Sequence, residues 1–273
     1  MPAALELLTG NVTAPGTTLT GLTMAVGNTL AIRSADPNSV VCLLGAWAYN
    51  NGAGILRIRS PRLHDNQQGI RLRINATTPG PRFPPNRFLQ RLIPQDVLTV
   101  ELSGSVTAGK IELASLLVYY TDLPGIAARF MTPDQVARWG VNVMGQDVSI
   151  TAGSSGGYSG QVAVQSGTNL DQWKANTDYA LMGYVVDQAC CSVRIQGADS
   201  GNLGVGGPGF AAAPDLTNDW FADLSERYNI PLIPIFNAAN KNAILVDVAQ
   251  NDGGAAVNVS FNFIELKPPT MRT

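Results

Sequence analysis

Gly153-Ser154-Ser155-Gly156-Gly157 has the G-x-S-x-G spacing of a nucleophile elbow. A serine activated in that way needs a strand, a sharp turn and a helix around it, and a histidine later in the chain to take its proton. Here the residues that follow read as a strand, and the only histidine, His64, lies upstream. Gly204-Val205-Gly206-Gly207-Pro208-Gly209 matches G-x-G-x-x-G, a loop that holds pyrophosphate when a helix N-terminus follows it. Pro208 and the Ala-Ala-Ala-Pro run at 211 to 214 deny that helix, so the segment reads as a flexible loop. His64 beside Asp65 has the residue types of a general base and its orienting acid, yet it sits in a polar HDNQQG turn and reads as a turn residue. Cys42, Cys190 and Cys191 supply no paired metal ligands, and the adjacent pair points to opposite faces of a strand, so all three read as small buried hydrophobes. The sequons Asn75-Ala76-Thr77 and Asn258-Val259-Ser260 have no signal segment to route them to glycosylation. The residue chemistry therefore predicts no enzyme, no cofactor and no metal.

What the sequence does carry is a doubled order of elements. RFLQRLIP, Arg87 to Pro94, returns as RYNIPLIP, Arg227 to Pro234, 140 positions later. Each copy leads into a strand-like segment, a glycine-containing turn and a long apolar strand: VLTVEL and IELASLLVYY in the first, AILVDV and AAVNVSFNFIEL in the second. Upstream, Leu43 to Ser60 is shadowed by Ala180 to Gly197 at an offset near 138. Two paired blocks in one order at nearly one offset predict two halves of one plan.

Composition agrees with short strands joined by turns: charged residues are 14% of the 273, with 28 Gly and 17 Pro. No run approaches the ~18 apolar residues of a spanning helix, and the cysteine usage reads as that of a reduced, cytosolically made protein. Net charge is −2, divided as +4 over residues 1 to 121 and −6 over 122 to 273. The positive excess is concentrated between Arg57 and Arg91, which holds eight arginines and one acid, Asp65. In ILRIRS and IRLRI, period two puts Arg57 with Arg59, and Arg71 with Arg73, on one face of a strand and the aliphatics on the other. Those four arginines are the candidate subunit-interface residues; a solvated sheet face is the plain alternative. The stretch lacks interleaved stacking aromatics, so sequence-specific nucleic-acid binding is not predicted.

Reading in order, residues 1 to 18 form a Thr/Gly/Pro-rich arm without Lys or Arg. Short strands follow around a turn at Gly27-Asn28, then an apolar strand over 40 to 49 with Ile55 to Ser60 as its hairpin partner. One or two helical turns are expected from Asn86 to Leu92, capped by Asn86. A connecting helix runs from Thr132, as N-cap before Pro133, to Trp139. A longer helix carries Leu216, Trp220, Phe221, Leu224 and Tyr228 on one stripe, with Thr217 or Asp215 as cap. The fold expected is all-β: two tandem jelly-roll β-sandwiches with short inserted helices. Its parts are an arm (1–18), a first jelly roll (19–123), a linker with a short helix (124–143), a second jelly roll (144–267) and a tail (268–273).

This arrangement over residues 19 to 267, with its doubled RF/RY…LIP blocks, inserted helical segments and linker helix, resembles the double jelly-roll major capsid proteins of icosahedral bacterial and archaeal viruses, the group that includes the adenovirus hexon lineage. The resemblance implies a homotrimer whose six barrels give a pseudo-hexagonal outline that tiles a virion shell, made in the host cytoplasm. It also implies partners: copies of itself, other capsid proteins such as a vertex protein, and in some members an internal membrane. Two other classes fit a doubled sandwich. One is a carbohydrate-binding or tail-associated adhesion module, with Trp47, Trp139, Trp173 and Trp220 as sugar platforms. The other is a two-jelly-roll hydrolase, which requires acids converging in a cleft between barrels.

Overall fold

Runs such as LELL, VCLLGAWA and ASLLVYY are too rich in aliphatic and aromatic residues to have a wet face, and they form the centre of the molecule. The computed structural model describes residues 3–24, 32–33, 39–63, 67–74, 87–104, 107–126, 128–151, 156–165, 171–212, 214–250 and 256–272. In the first half these are β1 (Ala4–Thr13), β2 (Thr20–Gly21), β3 (Thr23–Met24), β4 (Val41–Tyr49), β5 (Gly54–Arg59), β6 (Ile70–Ile74), β7 (Gln90–Leu92), β8 (Thr99–Leu102) and β9 (Ile111–Tyr120). The second half has β10 (Phe130–Met131), α1 (Pro133–Trp139), β11 (Gly140–Ile150), β12 (Gly157–Tyr158), β13 (Val162–Ala163), β14 (Asp178–Val186), β15 (Cys190–Gln196) and β16 (Val205–Gly209). It ends with α2 (Asp215–Asn218), α3 (Trp220–Tyr228), β17 (Ile233–Asn237), β18 (Leu245–Gln250) and β19 (Val257–Leu266).

The strands pair antiparallel in four sheets. Sheet 1 runs β3-β1-β9-β4-β7 and sheet 2 runs β2-β8-β5-β6; sheet 3 runs β10-β17-β14-β19-β11 and sheet 4 runs β12-β18-β15-β16, with β13 also on β18. A jelly roll whose eight strands are lettered B to I in chain order has sheets B-I-D-G and C-H-E-F. Sheets 1 and 2 have that order, and so do sheets 3 and 4. The fold is all-β, two tandem jelly-roll sandwiches with short inserted helices. Even an irregularity is repeated, since the ladder to the I strand slips between Leu43 and Gly45 in β4 and between Leu181 and Gly183 in β14.

Sheet 1 is buried on both faces. Toward sheet 2 it sends Ala4, Leu8, Val41, Leu43, Leu116 and Tyr120. Toward sheet 4 it sends Leu5, Leu7, Leu44, Trp47, Leu117 and Tyr119 into a core cluster that continues through the second sandwich. The contact is sealed by specific bonds. Trp47 Nε1 donates to Cys191 O at 2.8 Å, Leu7 N to Gly204 O at 2.8 Å, and Ser115 Oγ lies between Thr9 and Ser192 at 2.8 and 2.6 Å. Tyr228 of α3 donates to the Leu44 carbonyl, and Trp220 meets Trp47 edge-on at 5.9 Å.

Several sequence expectations change. Residues 4–13 are not an arm: β1 pairs with β9 along its whole length and is the B strand of sheet 1. Its missing alternation, which hid it, follows from burial on both faces. Gly54–Arg59 is not the hairpin partner of Val41–Tyr49, because β4 pairs with β9 and β7 while β5 crosses to sheet 2 and pairs with β6 and β8. Asn86 lies outside the described residues; beyond it Arg87 is a left-handed turn residue (φ 62°) and Gln90–Leu92 is strand, its amides and carbonyls taken by β4 rather than by a helical turn. The Gly204–Gly209 segment is not a flexible loop but holds the buried strand β16. A Cβ at Gly206 would stand 2.0 Å from Val193 O and 3.0 Å from Leu7 Cδ2, and one at Gly207 would stand 2.5 Å from Trp220 Nε1, so these glycines serve close approach.

The connecting helix α1 is as expected, with a Thr132/Gln135 capping box, Pro133 at its start and Gly140 ending it. The stretch around it is less of a linker, since β10 pairs with β17 and β11 begins at Gly140. The longer helix is broken at Asp219 into α2 and α3, and neither Asp215 nor Thr217 caps it; Thr217 Oγ1 turns back to Pro214 O. Trp220, Phe221, Leu224 and Tyr228 are buried as the stripe predicts, while Leu216 is exposed. The tail is tied down: Arg272 pairs with Asp178 at 3.0 Å. The Gly27-Asn28 turn lies outside the described residues.

Candidate functional site

The four arginines come together on the outer face of sheet 2. In β5 the inner Leu56 and Ile58 are fully buried, and Arg57 and Arg59 take the other face; in β6 Arg71 and Arg73 are exposed on that same face. Arg71 stands directly across from Arg57, and Arg57 directly across from Glu101 of β8. Glu101, which sequence reasoning did not single out, accepts from Arg57 Nε at 2.6 Å and Arg59 Nε at 2.9 Å. Burial pushes its carboxyl up, but the hydrogen bonds and charges of the two arginines outweigh that and hold it below the ordinary carboxylate range. Among the described residues of β5, β6 and β8, this face carries one acid and four bases.

The second sandwich repeats the pair. Arg194 of β15 stands across from Asp247 of β18, the E-to-H position that Arg57 and Glu101 occupy in sheet 2, and bonds it through Nε at 2.8 Å. There the face is covered. Arg194 lies over the Tyr158 ring at 3.8 Å, and Tyr158 in turn reaches Thr9 of β1 at 2.7 Å. The outer C-H-E-F face of the second sandwich is thus docked on the outer B-I-D-G face of the first, within one chain.

Among the described residues, what is left for a partner is the outer face of sheet 2, where Arg71 and Arg73 are exposed, and the part of the outer face of sheet 3 that α2 and α3 do not cover. The strands of sheet 3 report their exposure in their alternation, as in β19, where Val257, Val259, Phe261 and Phe263 are buried between more exposed polar neighbours. On this side, α1 and α3 wall a groove of about 570 Å³ floored by Val141, Val143, Met182 and Ile264. Val141 and Val143 are 58% and 69% exposed. Asp219, Asp223 and Glu226 line its α3 side.

The residues weighed for chemistry fall elsewhere. His64, Asp65, Ser154 and Ser155 lie outside the described residues. The three thiols are free and buried, and burial pushes Cys191 up to about 11. Among the described residues no three His, Cys, Asp or Glu side chains gather as a metal site, and no helix is long and apolar enough to cross a membrane. Trp47, Trp173 and Trp220 are buried, so they offer no sugar platform; Trp139 is half-buried. The junction between barrels is filled by Leu5, Leu7, Trp47 and the hydroxyls of Thr9 and Ser115 rather than opened as an acid-lined cleft.

No family model matches the chain, and neither does any curated protein. Among solved structures it is similar to the STIV MCP, at 9% identity, 98% of each chain covered and TM-score 0.22. It is also similar to the major capsid protein P2 of bacteriophage PM2 (7% identity, 98% of each chain, TM-score 0.23) and to the PBSX exported protein XepA (12%, 96% of this chain and 86% of that one, TM-score 0.24). Superpositions this loose carry no argument, and the jelly-roll order rests on the strand pairing.

Proposed function

We propose that this chain is a structural protein that assembles with copies of itself, a major capsid protein whose trimers have a pseudo-hexagonal outline and tile an icosahedral shell. The observation that supports the reading is the doubled jelly roll that docks one pair of sheet faces internally, sheet 4 on sheet 1, and docks no sheet of the described residues on the equivalent pair, sheets 2 and 3. A contact between unlike faces of identical chains is heterologous, and it closes into a ring when the rotation between copies permits. Three copies of a doubled chain would present six similar flanks, enough to meet six neighbours.

On this reading the working units are two jelly rolls joined through the stretch that ends in α1. Function lies in surfaces rather than in a pocket, no cofactor is called for, and the partners are copies of the chain and other shell components. A hydrolase is disfavoured by the groove itself. Its carboxylates, Asp219, Asp223 and Glu226, all stand on the α3 wall, whereas glycoside cleavage needs two that flank the bond. Sedimentation and negative-stain imaging of the purified chain test the proposal. Trimers or closed particles are the expected result, and a chain that stays monomeric at every concentration would overturn it.

A further inference from the structure

Sheet 3 differs from sheet 1 in a way that duplication alone does not explain. Its outer face is where sheet 1 receives sheet 4, yet instead of Leu7 and Trp47 it offers a small apolar floor beside a row of acids. Asp219, the N-cap of α3, is followed along the helix by Asp223 and Glu226, and all three line the groove. Burial and the charges of Asp219 and Glu226 push the Asp223 carboxyl up, which marks a local negative field. The outer face of sheet 2 carries the opposite charge, with Arg71 and Arg73 exposed beside the Arg57/Arg59/Glu101 cluster.

We propose that the groove between α1 and α3 on the outer face of sheet 3 is the docking surface for the arginine-bearing face of sheet 2 on a second copy of this chain. The inference rests on the self-assembly reading and adds the receiving residues to it. Val141, Val143, Met182 and Ile264 lose water at the centre, and the α3 acids meet the arginines at the rim. The internal docking of sheet 4 on sheet 1 is the precedent for this face pairing. There Arg194, the counterpart of Arg57, is covered by the Tyr158 ring at 3.8 Å, and Tyr158 bonds Thr9 of sheet 1.

Charge exchange tests it in the full chain. Asp223→Lys with Glu226→Lys, on exposed positions of α3, raises the concentration for half-assembly at least about tenfold, as does Arg71→Glu with Arg73→Glu. Arg71→Glu leaves the Glu101 cluster intact and places an acid across from Arg57, so the fold is kept, as circular dichroism would verify. All four substitutions in one chain restore assembly. If the α3 pair assembles like the parent, or the folded fourfold variant does not recover, the groove is not the docking surface even though the chain self-assembles. If the parent chain never assembles, the self-assembly reading fails with it.

Discussion

Trp47 shows how much one side chain does in joining the halves. It is completely buried, donates to the Cys191 carbonyl across the junction and stands edge-on to Trp220. Trp47→Ala should cost about 3–5 kcal/mol, read as a lowered denaturation midpoint, because it leaves a cavity and a buried carbonyl without its donor. Asp178 works by charge. Burial pushes its carboxyl up, but hydrogen bonds from Arg129 and Asn237 and the charges of Arg129 and Arg272 win and hold it low. A carboxylate lowered in the folded state adds stability above its unfolded pKa of about 4. That stability is lost as pH falls through the folded value. Asp178→Asn should therefore lower stability at neutral pH and flatten the acid limb of a stability-against-pH curve; an unchanged acid limb would refute this role.

Among the elements, β16 is the one whose composition misleads. Three of the five residues in VGGPG are glycines, the usual sign of a loop, yet the strand is buried throughout. The glycines let β15, β1 and Trp220 approach it, so Gly206→Ala should destabilise by about 1–3 kcal/mol, measurable by chemical denaturation. A neutral result would mean that β15 can retreat from the 2.0 Å contact. α1 was legible because its signals are local: Thr132 and Gln135 bond each other's backbone amides whatever lies around them. β1 was not, because the apolar run that places it in a sheet buried on both faces has no period to read. The step from β4 to β5 was misread for a related reason. A turn at Asn50 to Gly52 reverses the chain equally well within a sheet or between two.

At the scale of the molecule, one buried cluster runs from the outer face of sheet 1 through the second sandwich, beside the separate core of the first. Thermal unfolding should show a single transition by both circular dichroism and tryptophan fluorescence. Residues 1–123 alone should aggregate, since Leu5, Leu7, Leu44 and Trp47 would then face water as an apolar patch. Two separated transitions, or a soluble folded fragment, would count against the junction as described. The proposed assembly through sheets 2 and 3 would join charged rims, so rising salt should weaken it, as sedimentation would record.

The doubled plan, the all-β class and the face on which Arg57, Arg59, Arg71 and Arg73 lie could all be read from residue order, because repetition and period two are local properties of a chain. The partner of those arginines, Glu101, and the groove floored by Val141, Val143, Met182 and Ile264 could not. Their members are far apart in sequence and meet only through strand register. Which faces are covered was likewise settled by folding. Sheets 1 and 3 share one topology, but the docking of sheet 4 on sheet 1 makes one of them interior, while the other is covered only in part, by α2 and α3.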